Sequence, residues 1–317
     1  MNRSIPKLAL LVPCFNEEEI LNSTAENLFQ LIKGLGNEKK ISEDSFILFV
    51  DDGSKDSTWD IIAGLHRTNS VFKGLKLSRN FGHQNALVAG MTSLKDKIDC
   101  LISIDADLQD DIQAIHEMVK KYHEGFEIVY GVRKNRDVDH FFKKFSARMF
   151  YRLMKFMKVN SVYNHADFRL IGNIVLHEFS NFNEYNLYLR GIFPLIGFPS
   201  TEIYYDRKKR SAGKTKYPLR KMLSFAWNGI TSFSVFPLRL IFLTGVFIFI
   251  FSFFLIIWAF VSILQGKAIP GWASTVVPLF LFGGLQMISL GLIGEYLGKI
   301  YNEVKNRPRF IIEKQVS

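Results

Sequence analysis

Residues 101–110 read LISIDADLQD, an apolar run that ends in closely spaced carboxylates. Two other runs have the same form, LALLVPCFNEE at 8–18 and FILFVDDGS at 46–54, and shorter apolar runs lie at 75–77 and 128–130. Helical patterns separate these runs, and the alternation predicts an α/β fold with a mostly parallel sheet covered on both faces. Because ligands of such sheets bind beyond the carboxyl ends of the strands, the polar residues after each run mark the expected site.

The spacing of Asp105, Asp107 and Gln109 bears on metal binding. In an extended segment, residues two apart point to the same side, so both carboxylates can face one cation and Gln109 can add an oxygen. A magnesium or manganese ion takes one or two carboxylates plus substrate phosphates, which suits a diphosphate leaving group. An acidic residue at a strand end can also cap the next helix. Three acidic strand ends together favour the metal site.

Composition and charge narrow the class of protein. The chain has 317 residues, 48% of them hydrophobic, and only 9 prolines, which predicts a folded core rather than disorder. A formal net charge of +10 suits nucleic acid, anionic lipid or phosphorylated ligands. The basic residues cluster beside apolar stretches without a recognition motif, so nucleic acid is not an expected partner. Cys14 and Cys100 form no CxxC pattern, so neither a disulfide framework nor a zinc site is expected.

Two apolar runs, 240–264 and 272–294, predict a pair of transmembrane helices, since about 20 apolar residues suffice to cross a bilayer. Basic stretches flank the pair at 207–221 and 299–309, and the connector carries only Lys267. In membrane proteins Lys and Arg are enriched in cytoplasmic segments. Both basic flanks, and with them both termini, are therefore expected in the cytoplasm, as in a multi-pass protein. A pair of buried core helices is the alternative, although soluble cores rarely contain runs of this length.

These patterns divide the chain into four parts. Residues 1–206 are expected to form the α/β domain, 207–236 a basic juxtamembrane segment with amphipathic helices, 237–298 a two-helix membrane domain, and 299–317 a cytoplasmic tail. The connector between the two apolar runs is too short for a domain. Any catalysis is therefore expected in the N-terminal part.

The motifs, taken in order, resemble those of a known family. PCFNEEE at 13–19, VDDGSKDST at 50–58 and DADLQD at 105–110 are followed by LSRNFGHQNALVAG, YGVR, DFRL, YLRG and SFSVFPLR. The series is similar to that of the family 2 glycosyltransferases of GT-A fold. It is most similar to the polyprenyl-phosphate glycosyltransferases, which include the bactoprenol glucosyltransferases and the dolichol-phosphate mannose synthases. The resemblance covers nearly the whole chain and implies a Rossmann-like GT-A domain followed by two transmembrane helices in a bacterial inner membrane.

The resemblance also implies an activity: inverting transfer of a sugar from a nucleotide sugar to a polyprenyl phosphate. UDP-glucose and undecaprenyl phosphate are the first choices, with GDP-mannose, UDP-GlcNAc or a UDP-aminoarabinose type of donor as alternatives. A divalent metal (Mg²⁺ or Mn²⁺), a homo-oligomer and a role in envelope glycans such as lipopolysaccharide are implied as well. A processive polysaccharide synthase would need more spans and a Q-x-x-R-W-like segment. A non-catalytic membrane scaffold is the alternative outside enzymes, and the intact DADLQD and DDGS motifs argue against it.

The resemblance assigns binding residues position by position. The nucleotide-sugar set is Pro13, Phe15, Asn16, Glu17, Asp52, Arg79, Gly82, Asp105, Ala106, Arg210 and Lys216; the metal set is Asp105, Asp107 and Gln109; the acceptor-phosphate set is Arg133, Lys143, Lys144 and Ser146. Asp52 would accept a hydrogen bond from the base ring, although an Asp in a DDGS turn can also merely stabilise the turn. Lys143 and Lys144 could instead belong to a headgroup-facing amphipathic helix.

The catalytic set implied in the same way is Asp107, Asp167, Arg169 and Arg190. Asp167 matches the position of the family's catalytic base. A phosphate monoester has a second pKa of about 6, so the acceptor is mostly a dianion at neutral pH and needs little help. We therefore expect Asp167 to orient sugar hydroxyls or the two arginines. The 7 histidines, His83 among them, show no metal-ligand spacing and receive no chemical role.

Overall fold

A computed structural model of the chain describes residues 3–134, 165–182, 184, 189–206, 236–265 and 271–317. Five predicted site residues lie outside these ranges: Lys143, Lys144, Ser146, Arg210 and Lys216. The described residues form two units, a sheet domain that includes 308–317 and a pair of long helices.

The first half of the sheet domain alternates strands with helices, as the sequence predicts. The elements are β1 (Leu8–Cys14), α1 (Leu21–Asn37), β2 (Phe46–Asp51), α2 (Thr58–Thr68), β3 (Phe72–Leu77), α3 (His83–Leu94), β4 (Cys100–Ser103), α4 (Ala114–His123) and β5 (Ile128–Arg133). Strands β4, β1, β2 and β3 lie side by side and parallel. Every residue of β1, β2 and β4 is buried, which explains why these strands appear in the sequence as unbroken apolar runs.

The second half contributes strands that the apolar runs did not reveal. The elements are β6 (His165–Gly172), α5 (Asn173–Phe179), α6 (Leu189–Ile196), β7 (Ser200–Tyr205), α7 (Phe236–Leu264), α8 (Trp272–Val304) and β8 (Ile312–Val316). The sheet has the order β7-β5-β6-β4-β1-β2-β3-β8. Strand β6 lies between β4 and β5 and is antiparallel to both. The domain is a mixed α/β sheet, and β6 brings a new strand directly beside the acidic end of β4.

Strand β8 changes the expected boundary of the sheet domain. The sequence analysis assigns 299–317 to a tail, whereas Ile312–Val316 pairs antiparallel with β3, with Gly74 opposite Val316. A Cβ at Gly74 would lie 2.9 Å from Val316 Cγ2, so glycine allows this close packing. The amide of Ser78 donates to Ile311 O at 2.9 Å and extends the pairing past the end of β3. The segment is thus the edge strand of the sheet.

The two long helices, α7 and α8, contain the predicted apolar runs, and α8 continues beyond the predicted end at 294 as far as Val304. Large apolar side chains are exposed on both, among them Phe242 and Met287. Among the described residues, one segment, Leu281–Val304, is long and apolar enough to cross a membrane. The prediction of two transmembrane helices is therefore not confirmed.

Candidate active site

The loops after β1 and β2 are joined by hydrogen bonds. Asn16 has a φ of 53°, its amide donates to Ser54 Oγ at 2.9 Å, and its side-chain oxygen accepts from the amide of Lys55 at 2.9 Å. The amide of Glu17 donates to Thr58 Oγ1 at 2.9 Å. Asn16 and Glu17, predicted to surround the nucleoside, thus also hold the two strand-end loops together.

Asp52 fixes the loop that follows β3. Its carboxylate is 3% exposed and accepts from the amide of Phe81 at 2.7 Å and from that of Gly82 at 2.9 Å. Burial raises the pKa of Asp52, against the lowering effect of these two bonds. Both carboxylate oxygens of Asp52 therefore have partners within the protein. This is what we expect if Asp52 stabilises the turn, the alternative to binding the base. Its proposed contact with the base stays a prediction.

Gly53 brings the DDGS turn directly against the same loop. Its φ of 66° is in the left-handed region, and a Cβ there would collide with the backbone of Arg79. The guanidinium of Arg79 lies 4.1 Å from the ring centroid of Phe81. Arg79 is exposed, and so is Phe15, at 40%. Pro13 is buried within β1. Of these predicted nucleoside contacts, Phe15 and Arg79 are therefore open to solvent.

The DADLQD motif follows β4 and is anchored from α1. Thr24 Oγ1 donates to Ala106 O at 2.6 Å, and Ala106 is buried. The side-chain nitrogen of Gln109 donates to Asp107 Oδ2 at 2.6 Å. The motif thus places the two side chains together, as their alternate spacing predicts.

The donor set of this motif fits a hard divalent cation. Asp105 is partly buried and Asp107 is exposed, and turning over the Gln109 amide would offer its oxygen. Burial raises the pKa of Asp105, and the neighbouring Asp167 adds to the rise against the opposing effect of His83. Over the residues that the structure describes, no group of three or more His, Cys, Asp or Glu side chains is arranged to hold a metal. A cation here would rely on two carboxylates and on substrate phosphates, as Mg²⁺ commonly does.

Arg133, predicted to bind the acceptor phosphate, has partners inside the domain. At the end of β5 it donates to Asp110 through Nη2 at 3.0 Å and Nε at 3.2 Å. Asp110 is 2% exposed, and Tyr205 at the end of β7 donates its hydroxyl to the same carboxylate at 2.8 Å. Sequence reasoning missed Asp110 and Tyr205, since nothing in the local sequence relates them. In this position the positive charge of Arg133 neutralises the negative charge of the buried Asp110 carboxylate.

The pairing of β4 with β6 brings Asp167 to the metal motif. Ser103 lies opposite Arg169, and extending this antiparallel register by two residues sets position 105 opposite 167. The hydroxyl of Ser103 also donates to Asp167 O. Two carboxylates from distant parts of the chain, Asp105 and Asp167, therefore face the same space.

Two arginines hold Asp167. Arg190 in α6 donates through Nε to Oδ1 and through Nη2 to Oδ2, each at 3.3 Å, and Arg169 donates to Oδ1 through Nη2. Arg169 is 0% exposed and lies 5.0 Å from the ring centroid of Phe193. Its place in the predicted catalytic set stays a prediction; the structure shows a fully buried guanidinium that pairs with Asp167. Arg190, 32% exposed, can face the site.

His83 is a further residue that the sequence analysis did not assign to the site. Its Nε2 lies 3.5 Å from Asp167 Oδ2 and 3.8 Å from Asp105 Oδ1. Burial lowers the pKa of His83, but the two carboxylates outweigh it and the net shift is upward. The search for metal-ligand spacing could not find this residue. The sequence offered one indication of its role: His83 directly follows Gly82, which belongs to the predicted nucleotide-sugar set.

Asp167 is a strongly stabilised anion. Burial alone would raise its pKa, but hydrogen bonding to His83 and the charges of Arg190 and Arg169 hold the pKa well below the usual range. A carboxylate with such a low pKa accepts a proton poorly near neutral pH. This supports the expectation that Asp167 orients other groups.

Comparison with known proteins agrees with this architecture. The family described as glycosyl transferase family 2 matches residues 9–183. The glycosyltransferase YkoT of Bacillus subtilis is 54% identical over 99% of this chain and 93% of its own length. The SfII prophage-derived bactoprenol glucosyl transferase of Shigella flexneri is 36% identical over 97% of this chain and 98% of its own length. The predicted family is confirmed: the chain belongs to glycosyl transferase family 2 and is a glycosyltransferase.

Proposed function

We propose that this glycosyltransferase moves a sugar from a nucleotide sugar to a polyprenyl phosphate, with inversion at the anomeric carbon. The observation that carries the chemistry is that Asp105, just beyond the end of β4, and Asp167, which two arginines hold in β6, lie 3.8 and 3.5 Å from His83 Nε2. Similarity over nearly the whole chain to bactoprenol glucosyl transferases supports the acceptor class. UDP-glucose is the first candidate for the donor and undecaprenyl phosphate for the acceptor.

The donor's diphosphate belongs beside the DADLQD motif. Asp105 and Asp107, with the Gln109 oxygen, would hold a Mg²⁺ or Mn²⁺ ion, and such a cation offsets the negative charge that develops on the departing diphosphate. Arg210 and Lys216 stay predicted partners of the same group. The joined loops after β1, β2 and β3 leave Phe15 and Arg79 exposed for the nucleoside.

The acceptor phosphate attacks from the side of Asp167. Because a phosphate monoester is mostly dianionic at neutral pH, its oxygen can displace the nucleotide without first losing a proton. Asp167 then serves to orient sugar hydroxyls and the partly exposed Arg190. No covalent enzyme intermediate is required, since a single displacement accounts for inversion.

A polyprenyl phosphate resides in a bilayer, so we also propose a membrane-bound enzyme. The apolar segment Leu281–Val304 supports one span, and we assign α7 as a second, with both termini in the bacterial cytoplasm. The basic flanks of the helix pair support this orientation. A homo-oligomer and a role in envelope glycans stay predictions.

The test uses the purified full-length protein, undecaprenyl phosphate, Mg²⁺ or Mn²⁺, and a panel of nucleotide sugars, with mass spectrometry of the lipid fraction. We expect a hexosyl phosphate lipid with UDP-glucose. A different donor that gives a product would change the sugar but keep the reaction. Absence of any glycolipid, from protein that binds nucleotide, would refute the acceptor class.

A further inference from the structure

The position of His83 is fixed from the side of the nucleotide loops. Helix α3 begins at His83, immediately after Gly82, whose φ is 95°. The amide of Gly82 donates to the buried carboxylate of Asp52 at 2.9 Å. The residue directly before α3 is therefore held by the same carboxylate that fixes the loop after β3.

The imidazole lies between two carboxylates that approach from different strands. Nε2 is 3.8 Å from Asp105 Oδ1 and 3.5 Å from Asp167 Oδ2. The side chains of His83 and Asp105 are 45% and 44% exposed, so this contact faces the open site. Asp105 is the donor-side carboxylate of the proposed reaction and Asp167 the acceptor-side one.

His83 joins two arginines around Asp167 and also lies near Asp105. Arg169 is fully buried, and Arg190 donates to both oxygens of Asp167. Asp105 and Asp167 carry like charges on either side of His83 Nε2 and repel one another. An N–H group placed between them interacts favourably with both oxygens and opposes their separation.

We propose that His83 is a positioning residue of the transfer site: its Nε2–H keeps the carboxylates of Asp105 and Asp167 at a set separation, so that donor and acceptor meet in line. This inference rests on the proposed function. Both distances exceed an ordinary N–H···O bond of about 2.9 Å, and such contacts often tighten only when substrate is bound. A misplacement of about 1 Å can cost about 100-fold in rate, so a bridging residue of this kind acts on turnover.

The test compares His83→Ala and His83→Gln with His177→Ala. His177 is an exposed histidine of α5 that lies 3.8 Å from Glu178, away from the site residues. We expect His83→Ala to lower kcat by about 10- to 100-fold, with UDP affinity by calorimetry and the unfolding temperature close to wild type. The Gln amide can place an N–H near the position of Nε2, so His83→Gln should recover most of the lost rate. His177→Ala should match the wild type.

Three outcomes would overturn the inference. His83→Ala could match the wild type; the whole loss could appear in KM and in UDP affinity, which would make His83 a donor-binding group; or His83→Gln could be no better than Ala with both variants folded. Failure of the proposed function is distinguishable, because the wild type and His177→Ala would then also form no glycolipid while still binding UDP.

Discussion

Arg190 contacts both oxygens of Asp167, with Nε 3.3 Å from Oδ1 and Nη2 3.3 Å from Oδ2. Burial raises the pKa of Asp167, but hydrogen bonding to His83, this contact and the charge of the buried Arg169 together hold the pKa well below the usual range. General-base catalysis works best when the pKa of the base lies near the working pH. Asp167 therefore lies at the centre of the site, but its low pKa makes it a poor proton acceptor.

The first prediction concerns Asp167→Asn. If Asp167 orients groups, the amide should retain enough hydrogen bonding that kcat at pH 8 falls by less than about 100-fold, the lower limit typical of losing a base. The activity of the wild type and of Asp167→Asn should rise as the acceptor phosphate loses its second proton at about pH 6. The measurement is the pH–rate profile at saturating lipid, with both substrate affinities checked. A larger loss at pH 8 with unchanged affinities would restore the direct base.

The same substitution has a predicted effect on stability. Folding lowers the pKa of Asp167, so its ion pairs stabilise the fold above the ordinary carboxylate range and lose this effect as the pH falls through the lowered value. Removing the charge leaves Arg169 buried without its partner, which typically costs about 3–5 kcal/mol. Denaturant unfolding should show a deficit for Asp167→Asn at neutral pH that shrinks in strong acid. A loss of stability in Asp167→Asn that does not change with pH would contradict the lowered pKa of Asp167.

The next prediction concerns the cation. Asp107→Ala should abolish transfer with little change in unfolding temperature, because Asp107 is exposed and its hydrogen bonds are with the neighbouring Gln109. Excess chelator should have the same effect on the wild type, and added Mg²⁺ or Mn²⁺ should restore activity. Glu43→Ala removes an exposed carboxylate far from the motif and serves as the control. Transfer that persists in chelator would remove the metal from the reaction.

Gly53→Ala tests the contact between the nucleotide loops. A methyl group at Gly53 would collide with the backbone of Arg79, and the φ of 66° is unfavourable for alanine. We expect a loss of about 1–3 kcal/mol in stability and weaker UDP binding. Gly64→Ala is the matched control: it lies inside α2 with only Arg67 Nη2 near, at 3.9 Å, so it should be neutral or stabilising. Equal behaviour of the two variants would argue against the packed loops.

Arg133→Met distinguishes two roles for Arg133. If it mainly compensates Asp110, whose carboxylate is 2% exposed, unfolding free energy should fall by about 3 kcal/mol. The KM for lipid should then change little in the folded fraction. Tyr205→Phe, which removes one hydrogen bond to Asp110, should cost about 1 kcal/mol. An unchanged stability with a KM for lipid raised more than about tenfold would instead support the acceptor-phosphate role.

Topology is tested with single cysteines. An impermeant thiol reagent on intact cells should label Gly271→Cys, and should label Ser4→Cys and Gln315→Cys only after permeabilisation, if both termini are cytoplasmic. The two native cysteines, Cys14 and Cys100, are buried and should give little background. Labelling of Ser4→Cys in intact cells would contradict the proposed orientation.

The sequence could predict the parts of this fold that depend on local pattern. The runs at 8–12 and 46–50 begin where β1 and β2 begin, because parallel strands buried on both faces need continuous apolar residues. Strands β6 and β8 could not be found in this way. Their pairing partners are distant in the chain, and β8, with IEKQV, is mostly exposed.

The site residues likewise divide into those that a local motif reveals and those that depend on long-range pairing. The carboxylates of the DADLQD motif are recognisable from their spacing, and the family resemblance points to Asp167. The contact of His83 with both carboxylates, and the buried ion pair of Arg133 with Asp110, depend on how strands far apart in sequence are paired. A local motif carries no record of such three-dimensional neighbours, so these assignments required the structure.

Strand β8 has a consequence for how the enzyme is made. A ribosome synthesises residues 312–316 only after both long helices, so the nascent sheet has an unpaired β3 edge while the helices emerge. An open edge of this kind can recruit a strand from another chain. Completion of the sugar-nucleotide domain is thus coupled in time to synthesis of the apolar helices. A fragment that stops before residue 308 would keep that edge open permanently, and a fusion joined there would need to leave β8 free to pair.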